Sequence, residues 1–181
     1  MILLIVESKK ILIKGKKSIS ELTYLEIKNL KVIFFDFDGV FTNNKVFISE
    51  NGEESVVCYR GDGIGISELA KMGYDLYVLS SEINPLVKKR CEKLKIKCFN
   101  SVDNKGTLIN EILKSKLLKK ENAAFIGNDI NDITAFQSVS LAIGVNDRNN
   151  LIDDYISYLT DESGGNGAVR EVCDKIIALL K

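Results

Sequence analysis

The chain has 181 residues, of which 45% are hydrophobic and 28% are charged. This composition is typical of one globular domain and excludes an intrinsically disordered chain. The 25 Lys and Arg residues are balanced by 25 Asp and Glu residues, so the positive charge of a nucleic-acid-binding protein is missing. No apolar run approaches the ~20 residues that span a membrane. We therefore expect neither nucleic acid nor membrane as a partner.

The chain contains no histidine. Enzymes that use a histidine nucleophile, a Ser–His–Asp triad or histidine-bound zinc are thereby excluded. The cysteines at positions 58, 91, 98 and 173 form no C-x-x-C pair, so we expect idle or buried thiols rather than a metal site. Scattered cysteines without a recognisable export signal predict a cytoplasmic protein.

The N-terminal part of the chain is predicted to differ from the rest. Residues 1–30 are lysine-rich and weakly patterned, which indicates an arm followed by a short helix over residues 19–29. Residues 31–181 are predicted to form the main domain. Residues 32–35 (VIFF) open this domain as a buried strand. The Asn51-Gly52 pair between two β-prone runs then predicts a hairpin over residues 45–59.

The remaining residues alternate between strands and helices. The strands are predicted over residues 74–79, 96–99, 123–126, 139–143 and 155–159. The helices are predicted over residues 62–72, 85–94, 108–117 and 169–180, with Asn84 as the cap before Pro85 and a turn formed by the glycine run 164–167 before the last helix. This alternation predicts an α/β fold, namely a Rossmann-like, mainly parallel sheet flanked by helices, with the hairpin as a small flap.

Polar residues follow the predicted strands at their carboxyl ends. Asp36 and Asp38 follow the first strand, Ser80 follows the second, and Asn128 and Asp129 follow a third. In parallel sheets the ligand crevice lies beyond the carboxyl ends of the strands. We therefore expect these side chains to meet in one crevice.

The acids of this crevice indicate a metal ion. Asp36, Asp38, Asp129 and Asp132 repel one another by about 4 kcal/mol per close pair at an effective dielectric constant near 20. A divalent cation relieves this repulsion. A few carboxylates with open water positions are typical of Mg²⁺, which is normally shared with a phosphate.

The expected reaction is phosphoryl transfer. Ser80 and Lys105 are positioned to donate hydrogen bonds to phosphate oxygens. Because the chain has no histidine, a carboxylate must be the nucleophile, which implies an aspartyl-phosphate intermediate. A second carboxylate would serve first as the general acid and then as the general base.

These motifs resemble those of the haloacid dehalogenase-like hydrolases. Residues 36–42 (DFDGVFT) resemble the first signature of that family, and Ser80 is similar to its second-motif hydroxyl. Lys105 resembles the third-motif lysine, and residues 127–132 (GNDIND) resemble the fourth motif. All of them occur in the family's order, each in its expected structural context.

The resemblance implies a role for each acid. Asp36 would be the nucleophile and a ligand of Mg²⁺. Asp38 would be the acid/base and would bind the metal through its backbone carbonyl. Asp129 would be a further metal ligand, with Asn128 and Asp132 behind it.

By the same resemblance, Ser80 and Lys105 would hold the phosphate.

Two further segments narrow the resemblance. Residues 60–65 (RGDGIG) and 164–171 (GGNGAVRE) are similar to the 3-deoxy-D-manno-octulosonate 8-phosphate phosphatase group. This group includes nonulosonate 9-phosphate phosphatases and domains fused to acylneuraminate cytidylyltransferases. The implied substrate is an acidic keto-sugar with a terminal phosphate. Ser81-Glu82 stands where the octulosonate enzymes usually carry Gly-Arg, and Asn128-Asp129 where they have two aspartates; both differences favour the nonulosonate branch.

The resemblance also implies an assembly. The family group lacks a large cap domain and closes its site by forming a homotetramer, in which the hairpin packs between subunits. Arg90 and Lys93 would then reach a neighbouring site and meet the carboxylate of the sugar. Arg170 is a second candidate for this contact, and Glu82 is a candidate for facing the substrate.

Other classes of function fit these residues less well. A response-regulator receiver domain would place adjacent acids after its first strand, whereas this chain has D-x-D-G there. A dinucleotide site is disfavoured because Glu68 stands where the third glycine of G-x-G-x-x-G belongs. A catalytically silent accessory subunit of a sugar cytidylyltransferase pathway stays an alternative, against which the intact Asp36, Asp38 and Lys105 argue. Mg²⁺-dependent phosphatase activity distinguishes the two.

Overall fold

The fold centres on a seven-stranded sheet whose neighbouring strands are all parallel. The computed structural model describes residues 16–181. The strands of this sheet are β1 (Lys17–Ser18), β2 (Val32–Phe35), β5 (Asp75–Leu79), β6 (Lys97–Phe99), β7 (Ala123–Gly127), β8 (Leu141–Gly144) and β9 (Tyr158–Leu159). A separate antiparallel pair consists of β3 (Phe47–Ile48) and β4 (Glu54–Ser55).

Helices cover both faces of the sheet. They are α1 (Tyr24–Ile27), α2 (Asp62–Lys71), α3 (Pro85–Leu94), α4 (Lys105–Ser115), α5 (Ile133–Gln137) and α6 (Ala168–Leu180). Short 3₁₀ turns lie at Ile19–Glu21, Lys120–Asn122, Ile130–Asp132 and Asn150–Tyr155. The predicted fold class, a Rossmann-like parallel sheet flanked by helices with a small hairpin and without a large cap domain, is confirmed for the described residues.

The strand order determines where the site lies. It runs β1-β9-β8-β7-β2-β5-β6, so β2 lies between β7 on one side and β5 on the other. The chain leaves β2 first towards β5 and later returns to the opposite side at β7. A reversal of this kind opens a crevice at the carboxyl ends of the strands.

Strand β2 is buried on both faces, as its continuous apolar run predicts. Val32 and Phe34 pack into the core on one face of the sheet, whereas Ile33 and Phe35 pack into the core on the other. Successive side chains of a strand point to opposite faces, so a strand covered by helices on both sides needs apolar residues at every position.

Most predicted elements are confirmed with shifts of a few residues at their ends. Helix α3 begins at Pro85 as predicted, with Asn84 as its N-cap accepting a hydrogen bond from Leu86 N at 3.0 Å. The helix predicted over residues 19–29 is wrong as one element. Thr23 divides it, because Thr23 N donates to Glu26 Oε2 at 2.9 Å and a new helix begins at Tyr24. The hairpin strands are also shorter than predicted.

The segment before Lys31 packs against the domain. Ile19, Leu22, Ile27 and Leu30 are buried in the same core as the face of α6. Strand β1, which the sequence did not predict, extends the sheet beside β9. Residues 1–15 of the predicted arm lie outside the described residues.

Within residues 16–181, no helix is both long enough and apolar enough to cross a lipid bilayer. The cysteines of this part of the chain are free thiols; two of them, Cys91 and Cys173, are buried.

The packing of α1 yields a stability prediction. Ile27 has no exposed surface, whereas Leu25 in the same helix is 70% exposed. We expect Ile27→Ala to lower the free energy of unfolding by about 2–5 kcal/mol, because it leaves a cavity under α1. Leu25→Ala, the matched control, should change it by less than about 0.5 kcal/mol. Urea denaturation measures both; equal effects would contradict the packing of this segment.

Candidate active site

A cleft of about 430 Å³ lies at the carboxyl ends of the three central strands. Asp36 and Asp38 reach it from β2, residues 80–82 from β5, and residues 128–131 from β7. The crevice predicted from the strand ends is therefore present. Its charged lining residues are four carboxylates, those of Asp36, Asp38, Glu82 and Asp129, and no Lys or Arg of the described chain lines it.

A buried ion-pair triad forms the base of the cleft. Lys105 Nζ donates to Asp36 Oδ1 and to Asp132 Oδ1, both at 2.6 Å. The side chains of Lys105, Asp36 and Asp132 are 1%, 6% and 0% exposed. Buried charges persist only when they are paired and hydrogen-bonded. The triad thus fixes Asp36 at the end of β2.

Local structure brings Lys105 to this position. Helix α4 begins at Lys105, with Asn104 as the N-cap that accepts a hydrogen bond from Thr107 N at 2.9 Å. Gly106 allows close packing against α5, because a Cβ there would lie 2.7 Å from the carbonyl carbon of Thr134. Helix α4 therefore approaches the end of β7 closely enough for its first residue to reach the triad.

Asp132 is held by the turn that follows β7. Its Oδ2 accepts hydrogen bonds from Asn128 N at 2.9 Å and from Asp129 N at 3.3 Å. Gly127 leaves room for this carboxylate, since a Cβ there would lie 2.8 Å from Asp132 Cγ. The fourth motif is thus a turn closed around the Asp132 carboxylate.

The charges of the triad are unbalanced, because two carboxylates share one ammonium group. Burial raises the pKa of Asp36, and the negative charge of Asp132 raises it further; Lys105 acts in the opposite direction. The carboxylates of Asp36 and Asp132 raise the pKa of Lys105 against the effect of its burial. Lys105 therefore stays charged, and one negative charge is uncompensated when Asp36 and Asp132 are both ionised. The raised pKa of Asp36 means that a proton on Asp36 also relieves this charge.

Asp38 differs from Asp36 in its surroundings. Its side chain is half-buried in the cleft wall, and no lysine of residues 16–181 forms an ion pair with it. Burial raises the pKa of Asp38, and the negative charge of Glu82 adds to this effect. A carboxyl group with a raised pKa is suited to holding a proton that it later donates.

The Asn128 carboxamide joins these two aspartates. One of its terminal atoms lies 3.0 Å from the carbonyl oxygen of Asp38 and 3.1 Å from Asp36 Oδ2. With the NH₂ group in this position, Asn128 donates to both oxygens. With the amide oxygen there, three oxygens face one point, and such a hard-oxygen set is what Mg²⁺ accepts.

Asp129, the predicted metal ligand, is directed elsewhere. Its Oδ1 accepts hydrogen bonds from Ile130 N at 2.7 Å and from Asn149 Nδ2 at 2.9 Å. It lines the cleft but caps the next turn. Among the described residues, no three Cys, Asp or Glu side chains are grouped closely enough to hold a metal ion. Asn128 contacts both Asp36 and the Asp38 carbonyl, whereas Asp129 bonds to Ile130 and Asn149; the role of Asp129 as a metal ligand stays a prediction.

Ser80 and Glu82 lie where predicted, at the end of β5. Ser80 is buried, and its Oγ accepts a hydrogen bond from Glu82 N at 3.1 Å. This bond leaves the Ser80 hydroxyl proton for an acceptor in the cleft. Glu82 is exposed at the rim.

The predicted basic substrate residues lie outside the cleft. Arg90 and Lys93 line a separate cavity of about 440 Å³ together with Arg60. Arg90 is anchored there by a hydrogen bond from its Nη2 to Tyr59 O at 3.1 Å. Arg170 lines a third cavity of about 360 Å³, and its Nε bonds to Asp174 at 2.7 Å. Within one chain the structure does not bring these cations to Asp36.

Sequence reasoning missed several polar residues of the cleft wall. Asn44, Ser81, Asn131 and Asn149 all line it. Asn131 and Ser81 had a usable signal, because they stand inside or beside the strand-end motifs. Asn44 also had one, because it stands two residues beyond the first motif. Asn149 had none, since it lies in a loop distant in sequence from those motifs.

The class of protein follows from comparison with known families. A family model described as haloacid dehalogenase-like hydrolase matches residues 79–172. The fold and the predicted motifs agree with that match, and the chain belongs to the haloacid dehalogenase-like hydrolases. The predictions of family and of a phosphatase are confirmed.

Particular relatives cover most of the chain. The 3-deoxy-D-manno-octulosonate 8-phosphate phosphatase KdsC of Escherichia coli K12 is 30% identical over 151 residues, which are 83% of this chain and 80% of the relative. The enzyme of the same name from Haemophilus influenzae is 29% identical over 153 residues, 84% of this chain and 85% of the relative.

Solved structures agree with these relatives. The 3-deoxy-D-manno-octulosonate 8-phosphate phosphatase of Moraxella catarrhalis, in complex with magnesium, phosphate and KDO, superposes with a TM-score of 0.82 at 28% identity. The superposition covers 86% of this chain and 90% of that one. A putative hydrolase of the family from Streptomyces avermitilis has a TM-score of 0.81 at 32% identity, covering 83% and 87%.

The triad yields a stability prediction. We expect Lys105→Met to lower the free energy of unfolding by about 3–5 kcal/mol, because it leaves buried carboxylates unpaired. Lys116→Met is the matched control: Lys116 Nζ lies 2.7 Å from Asp75 Oδ2, but both side chains are partly exposed. Its loss should cost less than about 1 kcal/mol.

The Lys105→Met deficit should also depend on pH. With Lys105 gone, the pKa of Asp36 in the folded protein rises further above its unfolded value. The folded state then binds more protons than the unfolded state, so stability falls as pH rises through that interval. The pKa of Asp36 is about 7 with Lys105 in place, so well below pH 7 Asp36 is protonated in both folded proteins and the two differ above it. The deficit relative to wild type should therefore shrink as the pH falls from about 9 to about 6. Urea titrations at both pH values measure it; a constant deficit would rule out the charge imbalance.

Proposed function

We propose that the protein is a Mg²⁺-dependent phosphatase that removes the terminal phosphate of an acidic keto-sugar. The observation that carries this proposal is the cleft itself. Its charged lining is wholly acidic, and at its base Asp36 is fixed by Lys105. An anionic phosphate enters such a cleft only with a cation that reverses its charge. The Moraxella catarrhalis structure, with its magnesium and phosphate, supports the same assignment.

The metal would be held by Asp36, by the backbone carbonyl of Asp38 and by the amide oxygen of Asn128. The Asn128 carboxamide lies 3.0 Å from the Asp38 carbonyl oxygen and 3.1 Å from Asp36 Oδ2. Without the ion its NH₂ group donates to both oxygens, so binding of the ion would require the amide to turn its oxygen towards this point. The remaining positions are left to water and a phosphate oxygen, as is usual for Mg²⁺. When bound, the ion supplies positive charge that draws in the phosphate and stabilises the charge developing on it.

The two aspartates divide the chemistry. A carboxylate oxygen of Asp36 attacks phosphorus, the bond from phosphorus to the sugar oxygen breaks, and Asp38 gives its proton to that oxygen. Asp38, now a carboxylate, takes a proton from water as the water attacks the aspartyl phosphate. Inorganic phosphate leaves and Asp36 is restored. The raised pKa of Asp38 suits the first step.

Lys105 and Ser80 would hold the phosphate. An ammonium group has three N–H donors, and Lys105 uses two of them on Asp36 and Asp132. The third is left for a phosphate oxygen. The Ser80 hydroxyl, at the end of β5, would donate a hydrogen bond to another phosphate oxygen.

The carboxylate of the sugar requires cations that the cleft lacks. Arg90, Lys93 and Arg60 surround a separate cavity on the same chain. Joining the basic cavity of one chain to the acidic cleft of another would complete a site for a substrate with a phosphate at one end and a carboxylate at the other. We therefore propose a homotetramer. The hairpin supports it, since Phe47 and Ile48 are 61% and 71% exposed and an isolated two-stranded hairpin is marginally stable.

Two sugars are candidates. The curated relatives act on 3-deoxy-D-manno-octulosonate 8-phosphate by their names. Glu82 at the rim of the cleft favours a nonulosonate 9-phosphate, because it replaces the arginine usual in the octulosonate enzymes and brings a negative charge near Asp38.

Phosphate release from both sugars tests the proposal. We expect the wild-type protein to release phosphate from at least one of them, with activity lost on removal of Mg²⁺ by a chelator. Asp36→Asn should abolish release, because the amide is a poor nucleophile, while circular dichroism shows an unchanged fold. Asp154→Asn, which alters an exposed aspartate outside the cleft, is the matched control and should keep full activity.

The outcomes separate the alternatives. Release by Asp36→Asn at a near-normal rate would contradict the aspartyl-phosphate mechanism. No release by the wild type from either sugar or from p-nitrophenyl phosphate would favour the silent accessory subunit. If the nonulosonate is preferred, Glu82→Arg should shift the preference towards the octulosonate.

The assembly is tested separately. We expect sedimentation velocity to show a tetramer, and Phe47→Ser with Ile48→Ser to dissociate it. The dissociated protein should still hydrolyse p-nitrophenyl phosphate but should lose affinity for the keto-sugar phosphate. Arg90→Ala and Lys93→Ala should have the same two effects while the tetramer stays intact. A fully active wild-type monomer would exclude the contribution of Arg90 and Lys93 from a second copy.

A further inference from the structure

The glycine run before α6 packs on the loop that carries the catalytic aspartates. This run, residues 164–167, is called the glycine segment, and residues 36–44 are called the nucleophile loop. Gly165 N donates to Val40 O at 3.0 Å. The glycine segment is therefore bonded to the nucleophile loop as well as being the turn that precedes the last helix.

Gly164 touches the nucleophile loop through its backbone. It is buried, and a Cβ on it would lie 2.6 Å from the carbonyl carbon of Gly39 and closer still to the carbonyl oxygen. A Cβ on Gly165 would lie 2.5 Å from Asn43 N and 2.6 Å from the carbonyl carbon of Thr42. Real Cβ atoms do not approach backbone atoms this closely, so a side chain at either position would displace the nucleophile loop.

The nucleophile loop also packs against Asn128. Gly39 has a φ of +83°, and a Cβ on it would lie 2.7 Å from Asn128 Cγ. The Gly39 backbone is thus held between Asn128 and Gly164. The peptide that joins Asp38 to Gly39 carries the carbonyl oxygen that lies 3.0 Å from the Asn128 carboxamide. Any displacement of Gly39 moves that oxygen.

The glycine segment is itself anchored at both ends. Gly164 N donates to Asp147 Oδ1 at 2.8 Å, in the loop after β8. At the other end, Ala168 begins α6, whose buried face packs on α2. The glycine segment is therefore a rigid support and not a free loop.

We propose that Gly164 and Gly165 are positioning residues: by packing on the Gly39–Val40 peptide and on the backbone of Thr42 and Asn43 they hold Gly39 in place, and with it the Asp38 carbonyl for the metal ion and the Asp38 carboxyl for proton transfer. This inference rests on the proposed function, because it gives the glycine segment a role in the same site. Asp147 shares the role by holding Gly164.

Metal affinity and turnover of Gly164→Ala test the proposal. We expect about tenfold weaker Mg²⁺ binding by isothermal titration without substrate, and a fall in kcat of about tenfold or more, because misplacements of this size are costly in a preorganised site. KM for the sugar phosphate should change little. Circular dichroism and a cooperative thermal transition show whether the variant folds.

Two controls separate positioning from general damage. Gly144→Ala adds a methyl group to another buried glycine, where it meets side-chain ends of Ile156 and Arg148 rather than the nucleophile loop. A second variant, Gly165→Ala, should show the same losses as Gly164→Ala. Gly73→Ala is its control, because the φ values of Gly73 and Gly165 are similar, +87° and +68°, but a Cβ on Gly73 would meet nothing within 4 Å. Both controls should keep wild-type metal affinity and kcat.

Asp147 provides a milder variant if Gly164→Ala fails to fold. Asp147 is exposed, so Asp147→Ala removes the acceptor for Gly164 N without adding bulk. It should lower Mg²⁺ affinity and kcat in the same direction, and Asp147→Asn, which keeps the acceptor oxygen, should restore both.

The outcomes are distinct from those of the proposed function. Wild-type metal affinity and kcat in Gly164→Ala and Asp147→Ala would overturn the positioning role while leaving the phosphatase intact. A wild-type protein that binds Mg²⁺ but hydrolyses no phosphate ester would overturn the proposed function. In that case, weaker Mg²⁺ binding by Gly164→Ala than by the wild type would still support the positioning role. A wild-type protein that binds no Mg²⁺ would overturn both.

Discussion

The buried ammonium group of Lys105 is the interaction on which the rest of the site depends. It lies 2.6 Å from a carboxylate on each side, and all three side chains are almost fully buried. Burying three charges is costly unless each one is paired. This requirement joins the end of β2, the first residue of α4 and the turn after β7. The strand order agrees with this pairing. Strands β2 and β7 are neighbours, which brings Asp36 and Asp132 close enough to share one lysine.

The excess of negative charge explains what the site needs from outside. One ammonium cannot neutralise Asp36 and Asp132, and Asp38, Glu82 and Asp129 add further negative charge around the cleft. In the function proposed above, a phosphate would enter only when a cation is present, so the metal would be a condition of binding as well as of chemistry. A carboxylate on the same substrate would meet the same repulsion. The basic cavity around Arg90 would then contribute only if another chain brought it to the cleft.

The sequence predicted the elements whose patterns are strong and local. The run at residues 32–35 and the Asn84–Pro85 start of α3 appear where their chemistry places them. Strand β1 was missed because two residues, one of them a lysine, carry no periodic pattern. The direction of Asn128 and Asp129 was not predictable either. Both follow β7, but Asp129 accepts a hydrogen bond from Asn149, which is 20 residues away in sequence, and Asn128 N donates to Asp132. These bonds, and not the order of the two residues, leave the Asn128 side chain beside Asp36.

The form of the nucleophile loop depends partly on residues elsewhere in the chain. The family match covers residues 79–172, which excludes the nucleophile loop but includes several residues that hold it. Lys105 fixes Asp36, Asn128 abuts Gly39, and Gly164 packs on the carbonyl group of Gly39. The loop also has hydrogen bonds of its own, from Phe41 N to Phe37 O at 2.9 Å and from Gly39 N to Thr42 Oγ1 at 3.1 Å. Its form therefore depends both on its own turn and on contacts with residues that are distant in sequence.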